Sequence, residues 1–210
     1  MPLPSPFIIF LIFEPSNHIA MTQFNQFIPH INTGVLKELC LQENKLVLFH
    51  KKTYFLQEGE VSTHIGYVES GIFKYTTYNR SEGREYNVGI VFPGEFIADY
   101  PSCLYGMASE VNIQALTPCR VYLCPTDRLN RLYETDMEHQ QMGRIIMEQL
   151  FLDVFTRYLD MFRLTPEERY RKLLARCPDV LQLIPVKEIA SYLHITPIHL
   201  SRIRRKLVME

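Results

Sequence analysis

Three hydrophobic rhythms succeed one another along the chain. Between Thr53 and Pro125 the apolar positions alternate, or run unbroken for strand lengths, in segments such as IGYVESGIFKYTTY, REYNVGIVF and CRVYLCP. Glycines at 59, 66, 71, 83, 89, 94 and 106 punctuate them, and SEG at Ser81–Gly83 predicts a hairpin turn. Short strands at this spacing predict an antiparallel sandwich or barrel. Ahead of them, residues 22–50 read as short helices, TGVLKELCLQ being one. From Met137 to Phe162 the rhythm is helical, with no proline and one glycine, Gly143. Ile145, Leu152 and Leu159 recur every seven residues, with Phe155 and Phe162 on the neighbouring row, as in a coiled-coil seam. Met147, Phe151, Val154, Tyr158 and Met161 form a second stripe. A helix apolar on two faces needs two partners. The β domain can be one, and the same helix of a second chain the other; the alternative is a helix that serves only its own chain's core.

The third rhythm is shorter. In RLTPEERYRKLLARCPDV, Thr165 is placed as an N-cap, Pro166 in the first turn and Glu168 at capping-box spacing; the helix should end near Cys177–Pro178. VKEIASYLHITPIHLSRIRRKL follows, Val186 to Leu207. Its inward positions are Ile189, Leu193, Ile195, Leu200 and Ile203, and Ala190 is small where two helices would cross. Thr196 can cap the second helix, and Pro197 suits its first turn because that N–H is spare. The spacing gives two short helices and a three-residue turn, the helix-turn-helix of DNA-binding proteins. Such turns usually hold a glycine where His194 stands, since φ is often positive there; histidine tolerates that conformation better than most residues.

On a helical wheel Leu200, Ile203 and Leu207 share one face of the second helix. Ile198, Arg202 and Arg205 lie opposite, flanked by His199, Ser201 and Lys206, with Thr196 at the leading edge. Arginine can bridge guanine O6 and N7, and an aliphatic group can touch a thymine methyl. Arg204 and Lys206 are better placed for phosphates. The bland alternative is a solvated amphipathic hairpin.

Composition sharpens this reading. A chain of 210 residues allows one large domain, or a medium and a small one. The formal net charge of −1 names no partner. From Arg163 to Glu210, however, ten Lys/Arg face five Asp/Glu, a local +5 on a body of −6. A basic end on an acidic body suits a polyanion. Five cysteines without a CxxC indicate neither a disulfide framework nor a zinc cluster. They read as buried thiols in a reducing cytoplasm. The apolar run Phe7–Phe13 is far shorter than the ~20 residues of a membrane helix, and no basic residue precedes it, as a signal peptide would require. No membrane partner is expected. Residues 1–20 read as an extension outside the fold or as a start placed too early. A cupin-like metalloenzyme needs clustered histidines and a carboxylate on neighbouring strands. The β region offers His64 alone, so neither an enzyme nor a cofactor is expected.

A strand-rich domain, a long helix and a terminal helix-turn-helix, carrying FLQEGE, YVESGIFKY, FPGEF and IASYLHITPIHLSRIRRKL, resemble the Crp/Fnr superfamily of bacterial transcription regulators over roughly residues 40–208. The last motif is especially similar to regulators of Bacteroidetes. The resemblance implies an α+β chain. Residues 21–135 would be an antiparallel, cyclic-nucleotide-binding-like β-roll or jelly roll, 136–163 a dimerisation helix, and 164–210 an all-α helix-turn-helix domain without an evident wing. It implies a homodimer on double-stranded DNA, acting near RNA polymerase. Nucleotide-binding members follow PGEF with Gly-Glu, the Glu holding the ribose; here stand Ala98-Asp99. They place Arg-Ser on the cyclic phosphate; here stand Ser109-Glu110. A phosphate would meet carboxylates in place of an arginine, so cyclic AMP is not expected to bind unless Arg84 or Arg120 substitutes. The candidate effector pocket is Asp99, Tyr100, Ser109 and Glu110; Tyr100, Cys103 and Tyr105 would line it, and are expected to fill it, the alternative being that they receive an apolar or aromatic effector. An iron–sulfur cluster would need N-terminal cysteines, of which Cys40 stands alone. A haem would need His50 or His64. The effector is unknown.

Overall fold

The computed structural model describes residues 34–208. The expected extension over residues 1–20 lies outside the described residues. The chain opens with helix α1 (Gly34–Gln42) and continues through strands β1 (Leu46–Phe49), β2 (Tyr54–Leu56), β3 (His64–Ser70), β4 (Phe73–Asn79), β5 (Arg84–Val91) and β6 (Phe96–Ile97). A short helix α2 (Tyr100–Tyr105) leads to β7 (Asn112–Ala115) and β8 (Cys119–Pro125). Two four-stranded antiparallel sheets result, ordered β1-β8-β3-β6 and β2-β7-β4-β5. The SEG turn joins β4 to β5, with Gly83 at φ 66°.

Alternation explains the layering. Val68, Ile97, Val121 and Leu123 of one sheet meet Phe73, Val91, Ile113 and Ala115 of the other. Phe49, Phe55 and Phe73 pack among them with ring centroids 5.4–6.4 Å apart. Each fully buried aliphatic or aromatic side chain stabilises by about 1.5–3 kcal/mol. Strand β5 breaks the alternation: Gly89, Ile90 and Val91, and then Phe92, are all buried. Val91 points into the sandwich, whereas Ile90 and Phe92 belong to the core of the C-terminal helices. A strand covered on both faces has no polar side to show.

Two expectations need correction. LVLF, placed among short helices, is the edge strand β1, paired with β8 from Leu46↔Tyr122 to Phe49↔Cys119. Four apolar residues in a row are too few to reveal a period. The stretch read as strands also contains α2, and a second helix, α3 (Thr126–Thr135), follows it directly.

Helix α4 (Met137–Arg163) is 27 residues long, about 40 Å. The Asp136 carboxylate caps it by accepting from the His139 N–H at 2.9 Å. Helix α5 (Pro166–Arg176) starts with the predicted box: Thr165 Oγ1 accepts from the Glu168 N–H at 3.3 Å, and Glu168 Oε2 from the Thr165 N–H at 2.7 Å. Helices α6 (Val180–Leu183), α7 (Val186–Tyr192) and α8 (Pro197–Val208) complete the chain. Tyr170, Leu173, Val180, Ile184, Ile189, Ala190, Leu193, Leu200 and Ile203 form their core. All five cysteines are free and buried. No helix of the described residues is long and apolar enough to cross a membrane.

Candidate nucleic-acid interface

Helices α7 and α8 are separated by Leu193–Thr196, of which Thr196 already caps α8: its Oγ1 accepts from the His199 N–H at 3.1 Å. His194 takes φ 54°, the left-handed conformation expected at that place. The Ile195 N–H reaches back to the Ala190 carbonyl at 3.0 Å, and Arg169 of α5 donates to the Leu193 carbonyl at 3.1 Å. The turn is thereby tied to both flanking helices. Ala190 and Leu200 are fully buried, so α7 and α8 cross closely.

Opposite that contact, Ile198 is 68 % exposed and His199, Ser201, Arg202 and Arg205 face solvent. The Ser201 hydroxyl donates to the Pro197 carbonyl at 2.9 Å. Arg204 and Lys206 are placed differently from Arg202 and Arg205. Arg204 is half-buried beside Tyr170 of α5. Lys206 donates to Glu167 of α5 at 2.7 Å. Lys206 and Arg171 together hold the Glu167 carboxyl below its usual range. Both residues fasten α8 to α5 in this structure.

In the candidate effector segment, Asp99 precedes α2 and its carbonyl accepts from the Cys103 N–H at 2.9 Å. Tyr100 is half-buried against Tyr133 of α3; burial pushes both phenols up. Ser109 is buried, and its hydroxyl donates to the Val111 carbonyl at 2.9 Å while its backbone pairs with Gly59 and Glu60. Glu110 is exposed. Tyr105, expected to fill the pocket, is instead 75 % exposed, and Cys103 packs with Leu36, Cys40 and Ile65 outside the sandwich. The sandwich is filled by Phe49, Phe55, Phe73 and Tyr75. Tyr75 escaped the sequence reading, although its alternation with Lys74 marked it as inward. Its hydroxyl donates to the Ala98 carbonyl at 2.8 Å and accepts from the Ala98 N–H at 3.1 Å. Arg84 is exposed and paired with Glu82, and Arg120 with Glu69. His64 lies between Lys45 and Thr63, and His50 is exposed. No metal-holding group of three side chains occurs among the described residues.

The proposed seam on α4 is uneven. Ile145 and Leu159 are half-buried, while Leu152, Phe155 and Phe162 are exposed. The β domain gives apolar cover to the first half of the helix, where Met142 and Ile146 meet Leu129 and Tyr133; in the second half it is met by Arg157, which donates to the Val88 carbonyl of β5 at 2.7 Å. It does not cover the second stripe as expected: Phe151, Val154, Tyr158 and Met161 are exposed as well. Over its last three turns α4 presents about half its circumference as apolar side chains.

Residues 46–136 match the family model of the cyclic nucleotide-binding domain. FixK2 from Bradyrhizobium japonicum superposes with a TM-score of 0.67 at 17% identity, covering 79% of this chain and 84% of its own. The c-di-GMP-responsive global regulator CLP of Xanthomonas campestris gives 0.62 at 18% identity, covering 84% and 92%. A protein of Eubacterium rectale assigned to the Crp/Fnr family of transcriptional regulators gives 0.61 at 18%, covering 83% of each chain. The chain has the Crp/Fnr fold. No curated protein sequence matches it. Within the Crp/Fnr fold, the nucleotide-binding-type domain spans β1 to β8 and α3, and the helix-turn-helix is α7 with α8.

Proposed function

We propose that the protein is a sequence-specific DNA-binding transcription regulator that works as a homodimer, with RNA polymerase as the machinery it influences. The carrying observation is α8: a fully packed inner face and an outer face bearing Arg202, Arg205 and a bare Ile198. Guanidinium groups and one aliphatic side chain on a rigid helix fit the major-groove edge of a duplex. The uncovered apolar half of α4 supports the dimer, because a surface of that kind wants a partner. Two copies of α8 would then enter major grooves one turn apart, ~34 Å, on a near-palindromic site.

Selection of bound fragments from a random DNA pool tests this reading. The expected product is a two-fold-symmetric motif with half-sites one helical turn apart. No enrichment at moderate salt overturns it.

The effector segment supports a regulator that does not respond to cyclic AMP. By the resemblance, Asp99 and Glu110 take the places where an anion would need positive charge, and both arginines that could replace it pair with Glu82 and Glu69. Calorimetry with cyclic AMP and cyclic GMP should register no binding. Saturable heat with either nucleotide would favour a cyclic-nucleotide sensor, the reading that the match over residues 46–136 supports.

A further inference from the structure

Helix α8 offers fewer base readers than its sequence suggests. The Thr196 hydroxyl accepts from the His199 N–H at 3.1 Å and the Ser201 hydroxyl donates to the Pro197 carbonyl at 2.9 Å, so both serve the helix itself. Lys206 donates to Glu167 at 2.7 Å, and Arg204 is half-buried beside Tyr170. From Pro197 to Val208 there is no Asn or Gln, the amides that pair with adenine, and no Asp or Glu, the acceptors for the cytosine amino group. The outward side chains that remain are Ile198, His199, Arg202 and Arg205.

Ile198 is the odd member of that set. Leu200, Ile203 and Leu207 turn inward to the helical core, whereas Ile198 stands in solvent. At 100° per residue it lies within about 60° of Arg202 and Arg205. The rise from Ile198 to Arg202 is about 6 Å, under two base-pair steps. A lone exposed aliphatic is ordinary on a protein surface. This one is in line with two guanidinium groups, at the leading end of a helix whose first turn holds no acid to repel phosphates. That end is the part of such a helix that meets base edges. The apolar feature of the major groove is the C5-methyl group of a pyrimidine. Isoleucine is β-branched, and one rotamer prevails in a helix, so its methyls are held in place to meet it.

We propose that Ile198 is a methyl reader: it packs on the C5-methyl group of one pyrimidine in each half-site, beside a guanine taken by Arg202. An aliphatic side chain feels the methyl and not the oxygen or amino group next to it. Thymine and 5-methylcytosine therefore both satisfy it, and uracil and plain cytosine do not. The proposal rests on the DNA-binding reading and adds to it a sensitivity of binding to cytosine methylation.

The test takes the full chain and a duplex recovered by selection from a random pool, with each thymine replaced in turn by uracil. Loss of the contacted methyl should weaken binding about 4-fold at one position of each half-site, and roughly 15-fold when both are changed. Ile198→Ala, at an exposed position, should bind thymine and uracil duplexes equally. Arg202→Ala should keep the preference on a weaker baseline. At the same position, 5-methylcytosine opposite guanine should bind about 4-fold more tightly than cytosine opposite guanine. A scan with no sensitive thymine overturns the proposal. So does a preference that survives in Ile198→Ala, because another group or the shape of the duplex would then account for it. Failure of the selection overturns the DNA-binding reading and this inference with it; a selected duplex indifferent to its methyls overturns this inference alone.

Discussion

At the scale of single residues, the backbone decides where substitution is tolerated. Gly71 sits at φ 90°, and a Cβ there would come within 2.5 Å of Cys119 Sγ and also run into the Pro118 carbonyl. Strain and overpacking add, so Gly71→Ala should cost about 2–5 kcal/mol in chemical denaturation. Gly94, at φ 88° with nothing near its Cβ direction, should cost only the conformational part, about 1–2 kcal/mol. His194 carries a different kind of information. Burial, and then Arg169, Arg157 and Arg84, lower its pKa below 6.5, with Glu82 the one opposing charge. A base depressed in the folded state gives stability that is complete above pH 6.5 and is lost as pH falls through the lowered value. Asparagine also tolerates positive φ. His194→Asn should therefore shrink the loss of unfolding free energy between pH 7.5 and pH 5 relative to wild type. Arg202, outward and exposed, predicts the opposite profile: Arg202→Ala should leave stability intact. It should cost ~1–3 kcal/mol of affinity for a selected site and relax preference at one base pair. Unchanged affinity would place another side chain in the groove.

At the scale of elements, α4 makes the sharpest demand. Phe151, Leu152, Phe155, Tyr158 and Phe162 lie exposed along one helix whose first half is already covered. If the proposed homodimer forms through α4, Phe155→Glu should convert it to a monomer in sedimentation, with the helical signal retained; a monomeric wild type, or a dimer that withstands the change, overturns α4 as the seam. The helix-turn-helix was legible because each local signal agreed: the Thr196 cap, Pro197, small Ala190, the inward set, and a histidine able to hold φ 54°. The α5 box was legible for the same reason. Helix α2 was not, since six residues carry no period, and β1 looked helical because an edge strand of four apolar residues shows none. The candidate effector residues could be named only by resemblance. That Tyr105 points to solvent while Tyr75 fills the interior depends on which face of the sheet each segment meets, which spacing alone does not reveal.

At the scale of the whole molecule, the division into a β domain and a helical domain hides a shared core. Ile72, Ile90 and Phe92 sit in the same apolar cluster as Tyr170, Ile189 and Leu200, and the Lys74–Glu188 pair lies among the contacts at that junction. Two desolvated charges are tolerable only together. Removing one leaves the other buried without compensation, at about 3–5 kcal/mol, whereas replacing both by apolar groups of similar size is near neutral or better. Lys74→Met alone should lower the unfolding free energy by about that amount. It should also let the helical end melt ahead of the sandwich in calorimetry, since the penalty falls at the junction. Lys74→Met combined with Glu188→Leu should restore a single transition near the wild-type temperature. A double variant as unstable as the single one would mean that the pair acts through its specific hydrogen bonds, and that apolar contact alone does not hold the two halves together.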